Sequence, residues 1–364
     1  MRLPRARRLF KLLLRALLAA AVLFVTAAIT FAIHCSRVRG HFQPSPPSQF
    51  GKKIPGYARS EDGTFLTYPE WYIVWSYQEK AAWQKSYLPS GFRFFHAIGE
   101  YWSGYCCSYG VVRSRYAFNF GDHLMLAVIG TSFSVEYALK GIYEGTVGRL
   151  SEWTAGHEPT EEDRYAATVA HNYGQFVEDR PWYEFRFFPA LGGLWSGTGF
   201  WGKHVLRKWE RKAWLTADYT AEGIYGGLMT LASHAVYGVE EDTTYAVVDS
   251  LPDSAATQIH AIRTVQALGN DRKLVRMPRY QKFTGAATDI ARAGGKFVEI
   301  AGNRQIMVTA IVPRGWTPGI PDVELLFTGD VLTGAQSERA ILRLPVTALS
   351  ALLAQTNIEH IYDY

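Results

Sequence analysis

The sequence lacks the short motifs that mark common catalytic sites. It contains no Gly-x-Ser-x-Gly, no His-Glu-x-x-His and no Cys-x-x-Cys, so the usual local signatures of serine hydrolases, zinc metalloproteases and thioredoxin-like oxidoreductases are missing. Residues 197–204 approach a phosphate-binding loop, but His204 stands where Ser or Thr is needed, and Phe200 and Trp201 would crowd the phosphates. We therefore expect no nucleotide site, and the sequence specifies no cofactor.

Cysteine is scarce. The chain has three cysteines, Cys35, Cys106 and Cys107, and adjacent cysteines rarely pair with each other because the geometry is strained. We therefore predict free thiols and no disulfide framework, with a crosslink between two copies through Cys35 as the alternative.

The chain also has little excess of charge of one sign outside its first residues. The net charge is +5, but six of the basic residues fall within residues 1–15, and the rest of the chain has 32 basic and 33 acidic residues. A nucleic-acid-binding domain carries a basic footprint on its own surface. The sequence therefore predicts no nucleic-acid partner.

One hydrophobic run is long. Residues 12–33 are apolar apart from Arg15, Thr26 and Thr30, which approaches the length that a helix needs to cross a bilayer. Because the basic residues precede this run, the positive-inside rule places the N-terminus in the cytoplasm. The pattern predicts a single-pass inner-membrane protein, with a basic tail and transmembrane anchor at 1–36, a proline-rich stalk at 37–60 and a periplasmic body. Cleavage of the run as a signal peptide is the alternative.

The most informative feature that is present is an internal repeat. FRFFHAIGEYWSG at 92–104 returns as FRFFPALGGLWSG at 185–197, with nine of 13 positions identical, and EYALKGIYEG at 136–145 resembles DYTAEGIYGG at 218–227. The apolar spacing in both copies is helical. We predict a mainly helical, duplicated domain at 61–240, made of two three-helix units near 67–152 and 160–240. Thr67 and Thr160 each begin a capping-box pattern.

The C-terminal region, 241–364, has a different pattern. Short apolar runs at 274–277, 297–300, 305–312, 323–327, 340–344 and 358–362 predict strands, and 283–293 and 347–355 predict helices. The pair Gly302-Asn303 predicts a hairpin turn. This order resembles a split βαβ, ferredoxin-like layout, so the whole chain is predicted to be an α+β protein.

His96 and Glu100 are the first candidates for chemistry, because a spacing of four places both on one face of a helix. With His123 and Glu136 of the same copy, they could ligate a metal or form an acid/base pair. The second copy has Pro189 and Gly193 at the equivalent positions. That asymmetry fits one site in one copy, and it fits drift at a surface position equally well.

Other candidates recur in both copies. Arg93 matches Arg186, Glu136 matches Asp218, and Tyr143 matches Tyr225. We predict a buried arginine–carboxylate pair in each unit, with a polar binding spot between the units as the alternative. Trp316 lies in a loop rich in Gly and Pro, where it would be either a binding contact or a buried plug.

These features favour a binding protein over an enzyme. Aromatic residues make up 14% of the chain, and they suit clefts for a partner protein, such as another envelope protein, or for an apolar ligand such as a lipid. The alternative is an enzyme with a metal or acid/base site formed by His96, Glu100 and His123.

Overall fold

The computed structural model describes residues 64–113, 116–236 and 243–363, together with Cys35, Ser48, Phe50 and residues 57–59. Over these residues a helical body is followed by two antiparallel sheets with their own helices. The predicted α+β class is confirmed.

The described part of the helical body contains α1 (Tyr68–Gln84), α2 (Phe94–Val112), α3 (Phe120–Tyr143), α4 (Arg149–Thr154), α5 (Glu161–Phe176), α6 (Phe187–Gly197) and α7 (Val205–Val236). Several starts repeat with the sequence: α5 begins 93 residues after α1, and α6 begins 93 residues after α2. A 3-10 turn precedes α2 at Pro89–Gly91 and α6 at Trp182–Glu184, again 93 residues apart.

The two capping-box patterns behave differently. Thr160 and Asp163 form the reciprocal bonds of a capping box at the start of α5. The hydroxyl of Thr67 instead donates to the carbonyl of Thr64, so it makes no cap on α1. The pattern in the first copy therefore gave a wrong prediction, because the preceding 3-10 turn offers its carbonyl to the same hydroxyl.

The long helix of the first copy continues beyond α3 through a π-helical turn, Glu144–Gly148, into α4. The extra residue of such a turn re-aims a side chain without ending the helix. Here the carboxylate of Glu144 folds back over Gly148, where an added Cβ would lie 2.5 Å from Glu144 Oε2. Glycine at this position lets the Glu144 carboxylate turn inward.

The first sheet has the strand order β2-β3-β1-β4, with antiparallel neighbours. Its elements are β1 (Thr243–Asp249), α8 (Asp253–Gln258), β2 (Arg263–Gly269), β3 (Arg272–Pro278), α9 (Gln281–Arg292) and β4 (Lys296–Ile300). The sequence pattern did not predict β1, α8 or β2. The edge strand β2 is exposed along nearly all of its length, so it lacks the alternating apolar pattern that marks a half-buried strand.

The second sheet has the order β6-β7-β5-β8, also antiparallel. It contains β5 (Gln305–Pro313), β6 (Glu324–Asp330), β7 (Ser337–Pro345), α10 (Leu349–Gln355) and β8 (Ile358–Ile361). The predicted hairpin at Gly302-Asn303 is wrong. The chain does turn there, with one bridge between Ile300 and Asn303, but β4 pairs in the first sheet and β5 in the second.

Both faces of the second sheet are buried, and successive side chains on its central strands join different cores. Met307 and Ile341 pack with the helices, whereas Ile306 and Leu342 pack with the first sheet, α9 and α10. This follows from the two-residue repeat of a strand. The ring of Tyr68 meets that of Phe327 edge-on at 5.2 Å, so the helical body and the second sheet share one core.

A buried cation reinforces this junction. Arg339, 1% exposed, bonds to Glu79 of α1 and to Glu359 of β8, and its guanidinium lies 4.6 Å from the centre of the Trp75 ring. Such a charge is tolerated only when it is fully paired.

The membrane assignment needs correction. No helix in the described ranges is long and apolar enough to cross a membrane; the longest, α3 and α7, carry charged residues along their length. The run at 12–33 that prompted the assignment, and nearly all of the stalk, lie outside the described residues. The assignment of a membrane protein is therefore unsupported.

The prediction that all three cysteines are free is also wrong. Cys35 and Cys106 form a disulfide, and Cys107 is the free cysteine. The two partners are 71 residues apart in sequence, so their proximity is a tertiary feature that spacing alone does not reveal.

Candidate functional site

His96 and Glu100 lie on the side of α2 that meets β6, and Asp330 at the end of β6 joins them. One possible ligand atom from each residue lies within 4.8 Å of the other two. His96 Nε2 is 2.9 Å from Asp330 Oδ2, and the Asp330 backbone N–H donates to Glu100 Oε2 at 2.8 Å. The predicted pair is thus brought together with a carboxylate from the other end of the chain.

Gly329 permits this close approach of strand and helix. A Cβ at this position would lie 2.6 Å from the Tyr68 hydroxyl and 3.6 Å from Glu100 Oε2. Contacts under 3.0 Å force a neighbour to move, and Tyr68 is almost fully buried. Glycine therefore sets the distance between Asp330 and α2.

Arg314 supplies the positive charge beside this group, since its Nη2 donates to Asp330 Oδ1 at 2.7 Å. Burial alone would raise the pKa of the Asp330 carboxyl. The hydrogen bonds from Arg314 and His96, together with their charges, outweigh burial and lower that pKa. Asp330 is therefore a carboxylate near neutral pH.

His123 does not join this group. Its Nδ1 lies 2.8 Å from the Tyr105 hydroxyl, and its ring stacks on Phe118 at 4.3 Å. Burial lowers the pKa of His123, with the nearby Asp122 acting in the opposite direction. The environment is that of a neutral core histidine held among aromatic rings.

Glu136 also lies elsewhere, in a charge cluster between the two copies. Lys140 Nζ is 2.7 Å from Glu136, 3.1 Å from Asp218 and 3.1 Å from Glu222. Glu136 and Asp218 are the matched carboxylates of the repeat, so the two copies do bring them to one point. The structure shows a shared lysine at that point, contributed by α3.

Lys80 also faces this cluster, and burial and neighbouring charges shift the pKa values of its members in different directions. Burial raises the pKa of Glu222 to about 7, with help from the charge of Glu136. Burial also lowers the pKa of Lys80 to about 8, with help from Lys140. In contrast, the attraction of Lys140 and Lys80 outweighs burial at Glu136 and lowers the pKa of that carboxyl.

The predicted arginine–carboxylate pairs do not form. Arg93 and Arg186 stand at the N-caps of α2 and α6 and are exposed. The carboxylates are satisfied by Lys140 instead, because a residue four positions along the same helix reaches Glu136 more directly than a distant arginine does.

The repeated tyrosines link α3 to α7. Tyr143 donates to Glu210 at 2.8 Å and stacks on Trp214 with ring centres 3.7 Å apart. The hydroxyl of Tyr225 lies 3.1 Å from that of Ser132. Each tyrosine contacts the other copy, so they hold the two units together rather than line a cleft.

Trp316 is half-buried against the core that the two sheets share. Of the two readings, the buried plug agrees better with this position.

The most unusual feature of the structure, which was not predicted from the sequence, is the polarity of α7. The four basic residues near the start of α7 are all buried: Arg207, Lys208, Arg211 and Lys212. Arg207 pairs with Asp163 at 2.7 Å and with Glu210 at 3.0 Å, and Arg211 pairs with Glu144 at 2.8 Å. The two lysines pair with first-turn carboxylates of α5: Lys208 with Glu161 and Glu162, and Lys212 with Glu162. Their spacing of i, i+1, i+4 and i+5 was the available signal for one shared helix face.

The opposite side of α7 is apolar and exposed, and it continues onto α3. We call this surface the apolar face; its large members are Leu124, Val128, Val135, Leu139, Ile142, Leu206, Ile224, Leu228 and Leu231, each at least 50% exposed. Exposed alanines lie among them at 127, 213, 217 and 221. All seven charged residues between Val205 and Leu231 are buried or half-buried. A helix of a free-standing domain normally has the reverse arrangement.

Comparison with known proteins adds no relative: the chain matches no protein-family model, and neither a curated protein sequence nor a solved structure resembles it significantly.

Proposed function

We propose that the protein is a binding module, and that the apolar face docks against the apolar face of a second copy of the chain. The observation that carries this proposal is the inverted polarity of α7, whose cations are buried while Leu206, Leu228 and Leu231 are exposed. Monomeric proteins rarely leave large contiguous apolar patches in water, and such patches mark interaction sites.

A second copy suits this face for a chemical reason. A two-fold interface uses the same surface on both chains, so that surface must complement itself. The apolar face has no fully exposed charged residue along α7 up to Leu231, so two copies bring no like charges together. The exposed alanines at 213, 217 and 221 lie together on α7 between Leu206 and Ile224, which leaves room there for projecting Leu, Ile and Val side chains of the other copy.

The apolar face is also large enough to form a stable interface between two copies. The 24 residues of α3 span roughly 36 Å at 1.5 Å per residue, and two adjacent helices are about 20 Å wide. The face therefore covers roughly 700 Å² per copy, close to the ~800 Å² per partner of a stable protein interface.

The enzymatic alternative, in which His96, Glu100 and His123 act together, is weaker, because His123 is engaged with Tyr105 and Phe118.

We further propose that the helical body arose by duplication, since its helices recur with the sequence repeat. Each sheet, with its antiparallel order, corresponds in this view to a split βαβ unit. The second of these units replaces its first helix by the loop between β5 and β6.

The test is the mass of the protein in solution. Sedimentation equilibrium at micromolar concentrations should give a dimer for the unmodified chain. The double variant Leu139→Glu/Leu228→Glu should be monomeric, with a dissociation constant raised at least 100-fold, because four carboxylates would enter one apolar interface.

Val265→Glu is the matched control. Val265 is also an exposed apolar residue, 52% exposed, but it lies on the edge strand β2, so this variant should remain dimeric. An unmodified chain that stays monomeric throughout, or a double variant that dimerises as tightly as the parent, would reject a second copy as the occupant and leave the face to a different apolar ligand.

A further inference from the structure

We infer that His96, Glu100 and Asp330 form a binding site for one divalent transition-metal ion at the junction of the helical body and the second sheet. One ligand-type atom from each lies within 4.8 Å of the others, so small side-chain movements towards a shared ion would give all three bond lengths near 2.1 Å. This site is separate from the apolar face, and it does not depend on the function proposed for that face.

The chemical composition of the group suits such an ion. Imidazole nitrogen and carboxylate oxygen together are ligands for Zn²⁺ and similar first-row metals. The side chains of His96 and Asp330 are 32% and 26% exposed, so ions and water reach them from solvent. Three protein ligands leave at least one coordination position for water, which is the arrangement of an open site.

Arg314 holds the third ligand in place and leaves it an available atom. It binds Asp330 through Oδ1, whereas Oδ2 faces His96 Nε2 at 2.9 Å. An ion would replace that one hydrogen bond by two bonds to the metal. The Arg314 side chain is 46% exposed, so its charge is partly screened by water and adds only weak repulsion towards the ion.

The internal repeat gives an independent comparison. Pro189 and Gly193 occupy the positions of His96 and Glu100 in the second copy, and neither side chain can bind a metal. The ligating residues therefore occur in the copy whose α2 meets β6, where Asp330 is supplied.

The experiment uses the full chain and isothermal titration with Zn²⁺, Mn²⁺ and Mg²⁺ salts after dialysis against chelator. We expect one equivalent of Zn²⁺ or Mn²⁺ per chain and a higher thermal midpoint when the metal is present, because the ion binds the folded state. His96→Ala should weaken binding at least 100-fold.

Glu100→Gln separates a metal site from a simple contact between domains. The amide oxygen can still accept the Asp330 N–H, so a purely structural role predicts an unchanged thermal midpoint and no metal effect in either protein. A metal site predicts loss of metal affinity and loss of the metal-induced rise in the midpoint. His171→Ala on α5 is the control and should bind as the parent does.

The inference is overturned if the parent binds no stoichiometric Zn²⁺ or Mn²⁺. It is also overturned if His96→Ala and Glu100→Gln bind the metal as tightly as the His171→Ala control.

Discussion

At the residue scale, single positions decide how closely elements approach, and Gly130 is the sharpest case. A Cβ at this position would lie 2.1 Å from Cε1 of Tyr101, whose ring is fully buried and whose hydroxyl bonds to the carbonyl of Leu126. We predict that Gly130→Ala lowers the free energy of unfolding by about 1–3 kcal/mol, measured by urea denaturation.

Gly99→Ala is the matched control, because Gly99 is an exposed glycine inside α2 with no atom within 4 Å of an added Cβ. Alanine is the better helix former by up to about 1 kcal/mol, so this variant should be slightly more stable than the parent. Equal stability of the Gly130→Ala variant and the parent would show that Tyr101 can move aside.

The candidate metal site could be predicted from the sequence only in part. His96 and Glu100 were identifiable because helical periodicity places residues four apart on one face. Asp330 was not, since it lies 230 residues from Glu100 and reaches it only through packing of β6 on α2. His123 was included wrongly because membership of one repeat does not imply proximity in space.

At the element scale, α7 shows what a periodic pattern leaves open. The basic residues at 207, 208, 211 and 212 define one face, and the usual expectation turns a charged face towards water. Here that face is turned inward, because carboxylates of α5 and of the turn after α3 form buried partners for it. Those partners lie 44 to 67 residues away in sequence, beyond the reach of any local pattern.

The contact between α3 and α7 leads to a prediction about pH. Glu222 faces Lys80, Glu136, Lys140 and Asp218, and burial raises its pKa to about 7. A carboxyl whose pKa is higher in the folded state stabilises the fold at low pH, and that contribution is lost as the pH rises from about 4.5 to 7. Glu222→Gln resembles the protonated form at every pH. Its free energy of unfolding relative to the parent should therefore increase between pH 4.5 and 7.5, by at most about 3 kcal/mol.

Denaturant unfolding at several pH values measures this difference, and carboxyls common to both proteins cancel from it. Glu184→Gln, at an exposed glutamate in the turn before α6, serves as the control and should show no comparable trend. A constant difference for Glu222→Gln across the range would mean that Glu222 ionises in the folded protein as it does in the unfolded chain.

At the scale of the whole molecule, composition and repeats were enough to predict the α+β class. They did not predict that the C-terminal strands divide into two sheets. The division depends on β1, which pairs with both β3 and β4, and on β2, whose exposed sequence has no strand pattern. Because the turn at Gly302 joins different sheets, local turn chemistry pointed to a hairpin that tertiary pairing does not form.

The disulfide acts on the whole chain, since it ties Cys35 to Cys106 within α2 across 71 residues. Closing a loop of this length restricts the unfolded chain and stabilises the fold by about 4 kcal/mol in the chain-entropy model. Cys106→Ser should therefore lower the free energy of unfolding by up to this amount, whereas Cys107→Ser, at the adjacent free cysteine, should change it little. Thiol titration of the unfolded parent, purified without reductant, should find one reactive thiol. Three thiols would show that the bond is absent, and equal stability of the two variants would show that it does not restrict the unfolded chain.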